Sequence, residues 1–279
     1  MASVSELLKL SAQLQLTSDS ARLDCELLLC HILDVDRSWL LTWPDHLVSS
    51  TDQAQFEALL QQRRQGVPIA YLIGTRGFWS MNLNVSADTL IPRPETELLV
   101  QAALDLDMPS NARGLDLGTG TGAIVLALAS ERSDMCWTAV DSQQAAVELA
   151  QCNCRLKQLA NVKIFQSSWF DALEATDNRF DLIVSNPPYI AVNDPHLTQG
   201  DVRFEPSSAL VSGIDGLDDI KTIIRQSPTH LNSQGWLILE HGYNQGQAVN
   251  DLMQSAGFIK VDTRQDYNNL DRITLGQWR

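Results

Sequence analysis

Positive charge is what this 279-residue chain has least of: 20 Lys and Arg stand against 34 Asp and Glu, a formal net charge of −14 at pH 7. Non-specific nucleic-acid affinity comes mainly from basic side chains displacing counterions from phosphates, so this balance disfavours a duplex-binding protein. Residues 1–75 hold 5 basic and 9 acidic residues and the remainder 15 and 25, so neither part is basic overall. Long apolar runs are missing too. No stretch approaches the roughly 18 apolar residues that span a bilayer. The opening MASVSELLKLSAQLQLTSDS lacks a basic lead followed by an apolar run, so no export signal is expected there. The five cysteines (Cys25, Cys30, Cys136, Cys152, Cys154) are odd in number and show no C-x-x-C spacing. Reduced, structural thiols in a cytoplasmic protein are expected. The five histidines are scattered singly, so no metal site is expected.

Material for a core is plentiful, with 44% hydrophobic and 19% charged residues, which excludes a disordered or fibrous chain. The length predicts one large or two small domains. Residues 1–75 read as helices. Ser3 with Glu6 fits a capping box, Leu23, Leu27, Leu28, Ile32 and Leu33 form one apolar stripe, and Thr51 can cap a third segment carrying Phe56, Leu59 and Leu60. Gly66 and Pro68 end it. The stretch from Gly74 to Pro94 alternates around Phe78, Met81, Leu83 and Val85, which predicts a short hairpin linker. Pro94 then opens a helix, with Glu95 and Glu97 near its N-terminus.

After residue 112, strands and helices alternate: GLDLG, GAIVLALASER, WTAVD, a helix over 142–157, VKIFQ, FDLIVS, GWLILE, a helix near 245–256, FIKVD and RITLGQW. This predicts an α/β fold with a mainly parallel sheet covered on both faces. No helical crossover separates the last two strands, so the sheet is expected to turn antiparallel at that edge. No internal repeat or low-complexity segment is present.

The sequence DLGTGTG, with Gly118, Gly120 and Gly122, joins a strand to a helix, where glycines let a ligand approach backbone N–H groups. Gly118, Gly120 and Ala123 also satisfy the dinucleotide spacing, so a dehydrogenase must be weighed. Asp141, at the tip of the next strand, can accept from both hydroxyls of a ribose or act as helix N-cap for the segment starting at Ser142. NAD and S-adenosylmethionine both carry such a ribose. Trp169 is either a core tryptophan or a face for adenine.

Asn186-Pro187-Pro188-Tyr189 follows FDLIVS directly. Two prolines can simply terminate a strand. They also stiffen the loop and leave carbonyls free. With the Asn186 side-chain carbonyl they form acceptors for a planar NH2 group, beside an aromatic wall at Tyr189. A carboxamide nitrogen is a poor nucleophile. Accepting its two hydrogens at Asn186 and the Pro187 carbonyl would orient it and favour charge development there. The tetrapeptide contains no Asp, Glu or His base, so proton loss is expected to follow methyl transfer.

DLGTGTG, Asp141 and NPPY together resemble class I S-adenosylmethionine-dependent methyltransferases acting on amide or amino nitrogen. LIPRPETE (Leu90 to Glu97), GFW (Gly77 to Trp79), NPPYI, DVRFEP (Asp201 to Pro206) and LEHG (Leu239 to Gly242) narrow the resemblance to the bacterial PrmC/HemK protein-(glutamine-N5) methyltransferases, over nearly the full chain. That resemblance implies a Rossmann-like methyltransferase domain over 94–279, with a mainly parallel seven-stranded sheet and an antiparallel edge strand. A helical substrate-recognition domain over 1–75 and a β-hairpin linker over 76–93 would precede it. It further implies S-adenosylmethionine as donor, S-adenosylhomocysteine as product, no metal, and class I peptide chain release factors as protein substrates. The target would be the glutamine of their Gly-Gly-Gln motif, which ties the protein to translation termination. Gly118, Thr119, Gly120, Thr121 and Gly122 would line the methionine part of the cofactor, Asp141 would hold the ribose, and Trp169 would pack near adenine. Asn186, Pro187, Pro188 and Tyr189 would bind the glutamine, with Asn186 also near the transferred methyl and Asn186 and Pro187 as the catalytic pair. Ser168 stands where family members often carry an acidic residue, and its hydroxyl can still accept a hydrogen bond. A monomer with neither nucleic acid nor membrane as direct partner is expected. Two further readings compete with this one. NPPY is shared with DNA amino-methyltransferases, and residues 1–75 could bind a translation factor without catalysis.

Overall fold

The computed structural model describes residues 1–173 and 179–279, and the chain divides into two compact units. The smaller comprises Met1–Thr75 with Pro195–Phe204, the larger Arg76–Asp194 with Glu205–Arg279.

The smaller unit holds helices α1 (Val4–Leu8), α2 (Ala21–Leu33), α3 (Arg37–Thr42), α4 (Ser50–Arg64) and α5 (Ile69–Ile73). The capping box is formed: Ser3 Oγ accepts from Glu6 N–H at 3.3 Å and Glu6 Oε2 accepts from Ser3 N–H at 2.8 Å. The cap of α4 is Ser49 rather than Thr51. Ser49 is extended just ahead of the helix, and its Oγ accepts from Asp52 N–H at 3.1 Å. The inward face of α2 also differs from the expected stripe. It carries Cys25, Leu28 and Leu29, while Leu23 is exposed. Ile32 and Leu33 still pack partly buried against the same core, and Asp24 also turns inward to Arg63, with Nε to Oδ2 at 2.7 Å. Arg63 Nη1 also meets Asp201 Oδ1 at 3.0 Å. Gly66 (φ +95°) follows α4, and a Cβ there would collide with the Arg203 guanidinium. The positive φ favours glycine here, whereas the exposed Arg203 side chain could swing aside.

The larger unit opens with a hairpin of β1 (Thr75–Phe78) and β2 (Met81–Asn84). Phe78 and Leu83 are buried in the main core, and Trp79 N–H donates to Glu97 Oε1 at 2.8 Å. The chain then forms a 3₁₀ turn over Pro94–Thr96 and α6 (Glu97–Leu104). The order continues β3 (Arg113–Leu117), α7 (Ala123–Glu131), β4 (Cys136–Asp141), α8 (Gln144–Leu156), β5 (Val162–Gln166) and β6 (Phe180–Ser185). It ends with α9 (Asp218–His230), β7 (Leu231–Glu240), α10 (Gly246–Ala256), β8 (Ile259–Gln265) and β9 (Asp271–Gln277). The seven strands run in the order β5-β4-β3-β6-β7-β9-β8. All neighbours from β5 to β7 pair parallel, and the expected reversal is carried by β9, which pairs antiparallel with β7 and β8 and lies one strand in from the edge.

Successive strand residues point to opposite faces, and the apolar core divides accordingly. Leu182, Val184 and Ala139 face a layer with α6, α7 and α8, whereas Ile183, Val140, Leu115 and Leu117 face α9 and α10. Every residue of α7 from Ala123 to Ala129 is buried, the pattern of a helix enclosed on all sides. The crossover helix α9 was not read from the sequence. Ile220, Ile223, Ile224 and Ser227 give its buried face, and Pro228 in its last turn masks it.

Among the described residues no helix is long and apolar enough to cross a membrane, and no group of three or more His, Cys, Asp or Glu could hold a metal ion. The five cysteines form no disulfide. Cys25 and Cys154 are buried core members, and burial pushes the Cys25 thiol up to about 11. Cys136 is exposed, so the structural reading does not extend to it.

Candidate active site

Sheet order and register create the site. The chain runs outward from β3 through β4 to β5, then returns to β6 on the other side of β3. At such a switch point the loops after the strands diverge and leave a crevice for a ligand. Leu117 pairs with Ser185 on one side and Val140 on the other, so Gly118, Asn186 and Asp141 leave the sheet as neighbours. Asp141 pairs with Gln166, which brings Ser167 to Trp169 alongside.

In the loop after β3, Gly118, Gly120 and Gly122 have φ of +69°, +55° and +84°, a region in which side chains are strained. The Gly118 and Thr119 N–H groups both donate to Val140 O, at 2.9 and 3.0 Å. Thr119 Oγ1 donates to Asp116 Oδ2 at 2.6 Å. Burial pushes the Asp116 carboxyl up to about 7, against the hydrogen bonds from Thr119 and the Val125 N–H, and the Asp141 charge adds to the rise.

Asp141 fastens this loop to the next one. Its Oδ2 accepts from Gly120 N–H and its Oδ1 from Gln143 N–H, both at 2.9 Å. The residue at the N-cap position of α8 is Gln143, so Asp141 is not that helix's cap. Burial raises its carboxyl, and the N–H groups of Gln143, Gly120 and Ser142 hold it down. Two carboxylate oxygens offer about four acceptor positions, so capacity remains for further donors.

Trp169 has a left-handed backbone (φ +46°). Ser167 Oγ secures that turn by donating to Trp169 O at 3.2 Å and accepting from Ala172 N–H at 3.0 Å. The indole lies over the glycine loop, where a Cβ on Gly118 would stand 3.4 Å from its ring. Ser168 is exposed beside it.

A cavity of about 320 Å³ joins these elements. Of the residues singled out from sequence, Gly118, Thr119, Gly120, Thr121, Asp141, Trp169, Asn186 and Pro188 line it, while Gly122, Pro187 and Tyr189 do not. Gly122 packs inward, where a Cβ would be 3.1 Å from Leu126 Cδ1. Sequence reasoning missed a whole wall: Asp88, Thr89, Leu90, Pro92, Arg93 and Thr96, from the stretch ahead of α6. The signal for this wall is LIPRPETE, which carries the family resemblance but by its local pattern reads only as linker and helix start. Arg93 in that wall is paired with Glu205, which also accepts from Ile91 N–H at 3.3 Å.

Asn186 Nδ2 donates to Thr96 Oγ1 at 3.2 Å, which leaves its Oδ1 as an acceptor. Tyr189 is outside the cavity lining, and its hydroxyl donates to Glu240 Oε1 at 3.3 Å. Burial pushes the Glu240 carboxyl up to about 7, against Thr96, Arg272 and Tyr189, which draw it down. Burial and the Glu240 charge keep the Tyr189 hydroxyl protonated.

Family models match two stretches of the chain. A family model described as the PrmC N-terminal domain matches residues 7–74, and one described as a methyltransferase small domain matches residues 94–201. A release factor glutamine methyltransferase of Aliivibrio fischeri is 50% identical over 279 residues, covering 99% of this chain and 98% of the relative. The Escherichia coli K12 protein of the same description is 50% identical over 267 residues, 96% of this chain and 95% of its own. A crystal structure of a methyltransferase from Pyrococcus furiosus shares the fold, with a TM-score of 0.54 at 15% identity over 79% of this chain and 96% of that one.

Proposed function

This chain belongs to the family of release factor glutamine methyltransferases, and on that premise we propose that it methylates the side-chain amide nitrogen of the glutamine in the Gly-Gly-Gln motif of class I peptide chain release factors, with S-adenosylmethionine as donor. The observation that carries this reading is the Asn186 carboxamide. Its NH2 is tied to Thr96 and its oxygen is left to accept, in the lining of the cavity that Asp141 and the glycine loop also line.

The lining suits the cofactor on its own chemistry. Its volume of about 320 Å³ falls within the usual range for small-molecule sites, roughly 300–1,000 Å³. Asp141 has acceptor capacity for two ribose hydroxyls, each charge-assisted bond contributing about 1.5–3 kcal/mol. Trp169 offers an aromatic face to adenine, and the glycine loop leaves room for the methionine portion. When bound, S-adenosylmethionine supplies a methyl group already activated on a sulfonium sulfur.

The chain's own task is to orient the glutamine. The amide lone pair is delocalised, so nucleophilicity has to be directed at the reacting carbon. Asn186 Oδ1 and the Pro187 carbonyl accept the two amide hydrogens, while Pro188 and Tyr189 stiffen and shield the loop. Orientation of this kind can contribute about 7–11 kcal/mol. Residues 1–75 serve to recognise the protein substrate. In their support, Leu41, Trp43 and Leu47 are exposed within seven residues, and a protein partner can cover such side chains. Acting on release factors, the enzyme would modulate translation termination in the cytoplasm.

The test is mass spectrometry of the Gly-Gly-Gln peptide of a release factor incubated with enzyme and S-adenosylmethionine. One added methyl on the glutamine is expected. An unmodified glutamine, with cofactor binding verified separately, would refute the substrate, and methyl incorporation into DNA instead would replace it.

A further inference from the structure

We propose that the guanidinium of Arg93, held in place by Glu205, receives the α-carboxylate of the methionine portion of S-adenosylmethionine. The cavity thereby selects the intact cofactor over adenosyl sulfonium compounds that lack this carboxylate. This rests on the reading that S-adenosylmethionine is the donor.

Charge singles out Arg93. Among the described residues that line the cavity it is the only basic one, alongside the acidic Asp88, Asp141 and Asp219. In the function proposed above, Asp141 takes the ribose, Trp169 the adenine and Asn186 the target glutamine. The α-carboxylate, the one anionic group of the cofactor, is left without a partner. A Gly-Gly-Gln segment carries no charge on its side chains or peptide bonds, so the cofactor is what brings an anion to this wall. A carboxylate also matches the guanidinium fork in geometry, with two parallel N–H···O bonds.

The local sequence holds that fork still. Arg93 stands between Pro92 and Pro94, and its backbone is extended (φ −97°, ψ 143°), the conformation that a following proline favours. Arg93 Nη2 donates to Glu205 Oε1, while Glu205 Oε2 accepts from Ile91 N–H at 3.3 Å. One carboxylate therefore ties down both the side chain and the stretch leading to it. The Glu205 side chain is fully buried, whereas that of Arg93 is 30% exposed. A guanidinium has five N–H donors, so capacity remains for a second carboxylate. The turn that follows carries Thr96, which meets Asn186 Nδ2 at 3.2 Å, so one short segment fixes both the cation and the carboxamide. A buried ion pair rarely adds stability over an apolar pair of similar volume. Here it places a cation, a task for LIPRPETE and DVRFEP that orienting the glutamine leaves unexplained.

Calorimetry on the full chain, without a release factor, compares S-adenosylmethionine with decarboxylated S-adenosylmethionine, which differs only in lacking the carboxylate. Wild type should bind the decarboxylated compound about 10- to 100-fold more weakly, the scale of a charge-assisted hydrogen bond. Arg93→Met keeps much of the apolar stem and removes the charge. It should weaken S-adenosylmethionine about 10- to 100-fold and change the affinity for the decarboxylated compound by less than about threefold, so the preference disappears. Arg93→Lys keeps the charge without the fork and should retain part of the preference. Arg93→Met leaves Glu205 buried without this partner. The double variant Arg93→Met/Glu205→Gln removes both charges, should lose the same preference, and decides alone if the single variant does not fold. Equal weakening of both compounds would show that Arg93 only shapes the wall, and overturns the proposal. So does unchanged S-adenosylmethionine affinity, including the case in which KM for a release factor rises instead. Wild type that binds the two compounds equally refutes the carboxylate site and leaves the donor standing. Wild type that binds neither refutes the donor itself, and the site with it.

Discussion

Replacing Glu240 by Gln should change how the stability of this protein depends on pH. Burial raises the Glu240 carboxyl from 4.5 to about 7 in the folded chain. Between those two values the folded state binds a proton that the unfolded state has released, so stability falls as pH rises through that window. Its contribution is complete below 4.5 and lost above about 7. The full shift corresponds to about 3 kcal/mol at 1.36 kcal/mol per unit, of which between 2 and 3 kcal/mol is lost from about pH 5 to about pH 8. Gln does not titrate, so Glu240→Gln adds only a constant offset. Asp116, whose carboxyl burial also raises to about 7, is present in both proteins and cancels in the difference. Urea unfolding of the full chain at the two pH values gives the four free energies needed. Wild type should lose between 2 and 3 kcal/mol relative to the variant on going from acid to alkaline buffer. A wild-type-minus-variant difference that stays constant with pH would show that Glu240 is not held protonated by burial, and the reasoning would fail.

Asn186→Ala should lower turnover on a release factor about 10²–10³-fold, the scale for loss of a preorganised polar group, as read by single-turnover methylation. Asp141→Asn removes the charge but keeps one acceptor, so cofactor affinity measured by calorimetry should weaken roughly 10- to 100-fold. Arg63→Met deprives buried Asp24 of its ion pair. The cost in unfolding free energy should be about 3 kcal/mol, at the low end for such pairs, because Ser18 and Ser20 still donate to Asp24 at 2.7 and 3.0 Å.

The alternation of apolar runs makes the sheet legible, because the inner parts of β6 (Leu182–Val184) and β7 (Trp236–Leu239) are covered on both faces and so appear as short continuous apolar runs. Asp141 and the three glycines stood out because a strand tip and positive φ restrict residue type strongly. Three features were hidden for separate physical reasons. Pro228 disguised α9, since proline usually ends a helix, yet here it occupies the last turn. The inward turn of Asp24 on α2 meets Arg63, a partner 39 residues away that no local periodicity encodes. The wall from Asp88 to Thr96 comes from a segment whose own pattern is that of a linker, and only its placement in the fold makes it part of the cavity. Glu240 lies within LEHG, but its hydrogen bond from the Tyr189 hydroxyl, 51 residues away in sequence, exists only in three dimensions.

The order of synthesis gives the smaller unit an unusual history. Its five helices leave the ribosome ahead of the sheet, yet Asp201, which completes the ion pairing of Arg63, follows Arg63 by 138 residues. At the usual elongation rates of about 5–20 residues per second, that is a delay of roughly 7–28 s. During this interval Arg63 has Asp24 alone as its anion, and Gly66 waits for the Arg203 side chain that will pack over it. The strands from β3 to β6 are made in the meantime, so the smaller unit is begun before the sheet and completed only after four of its strands.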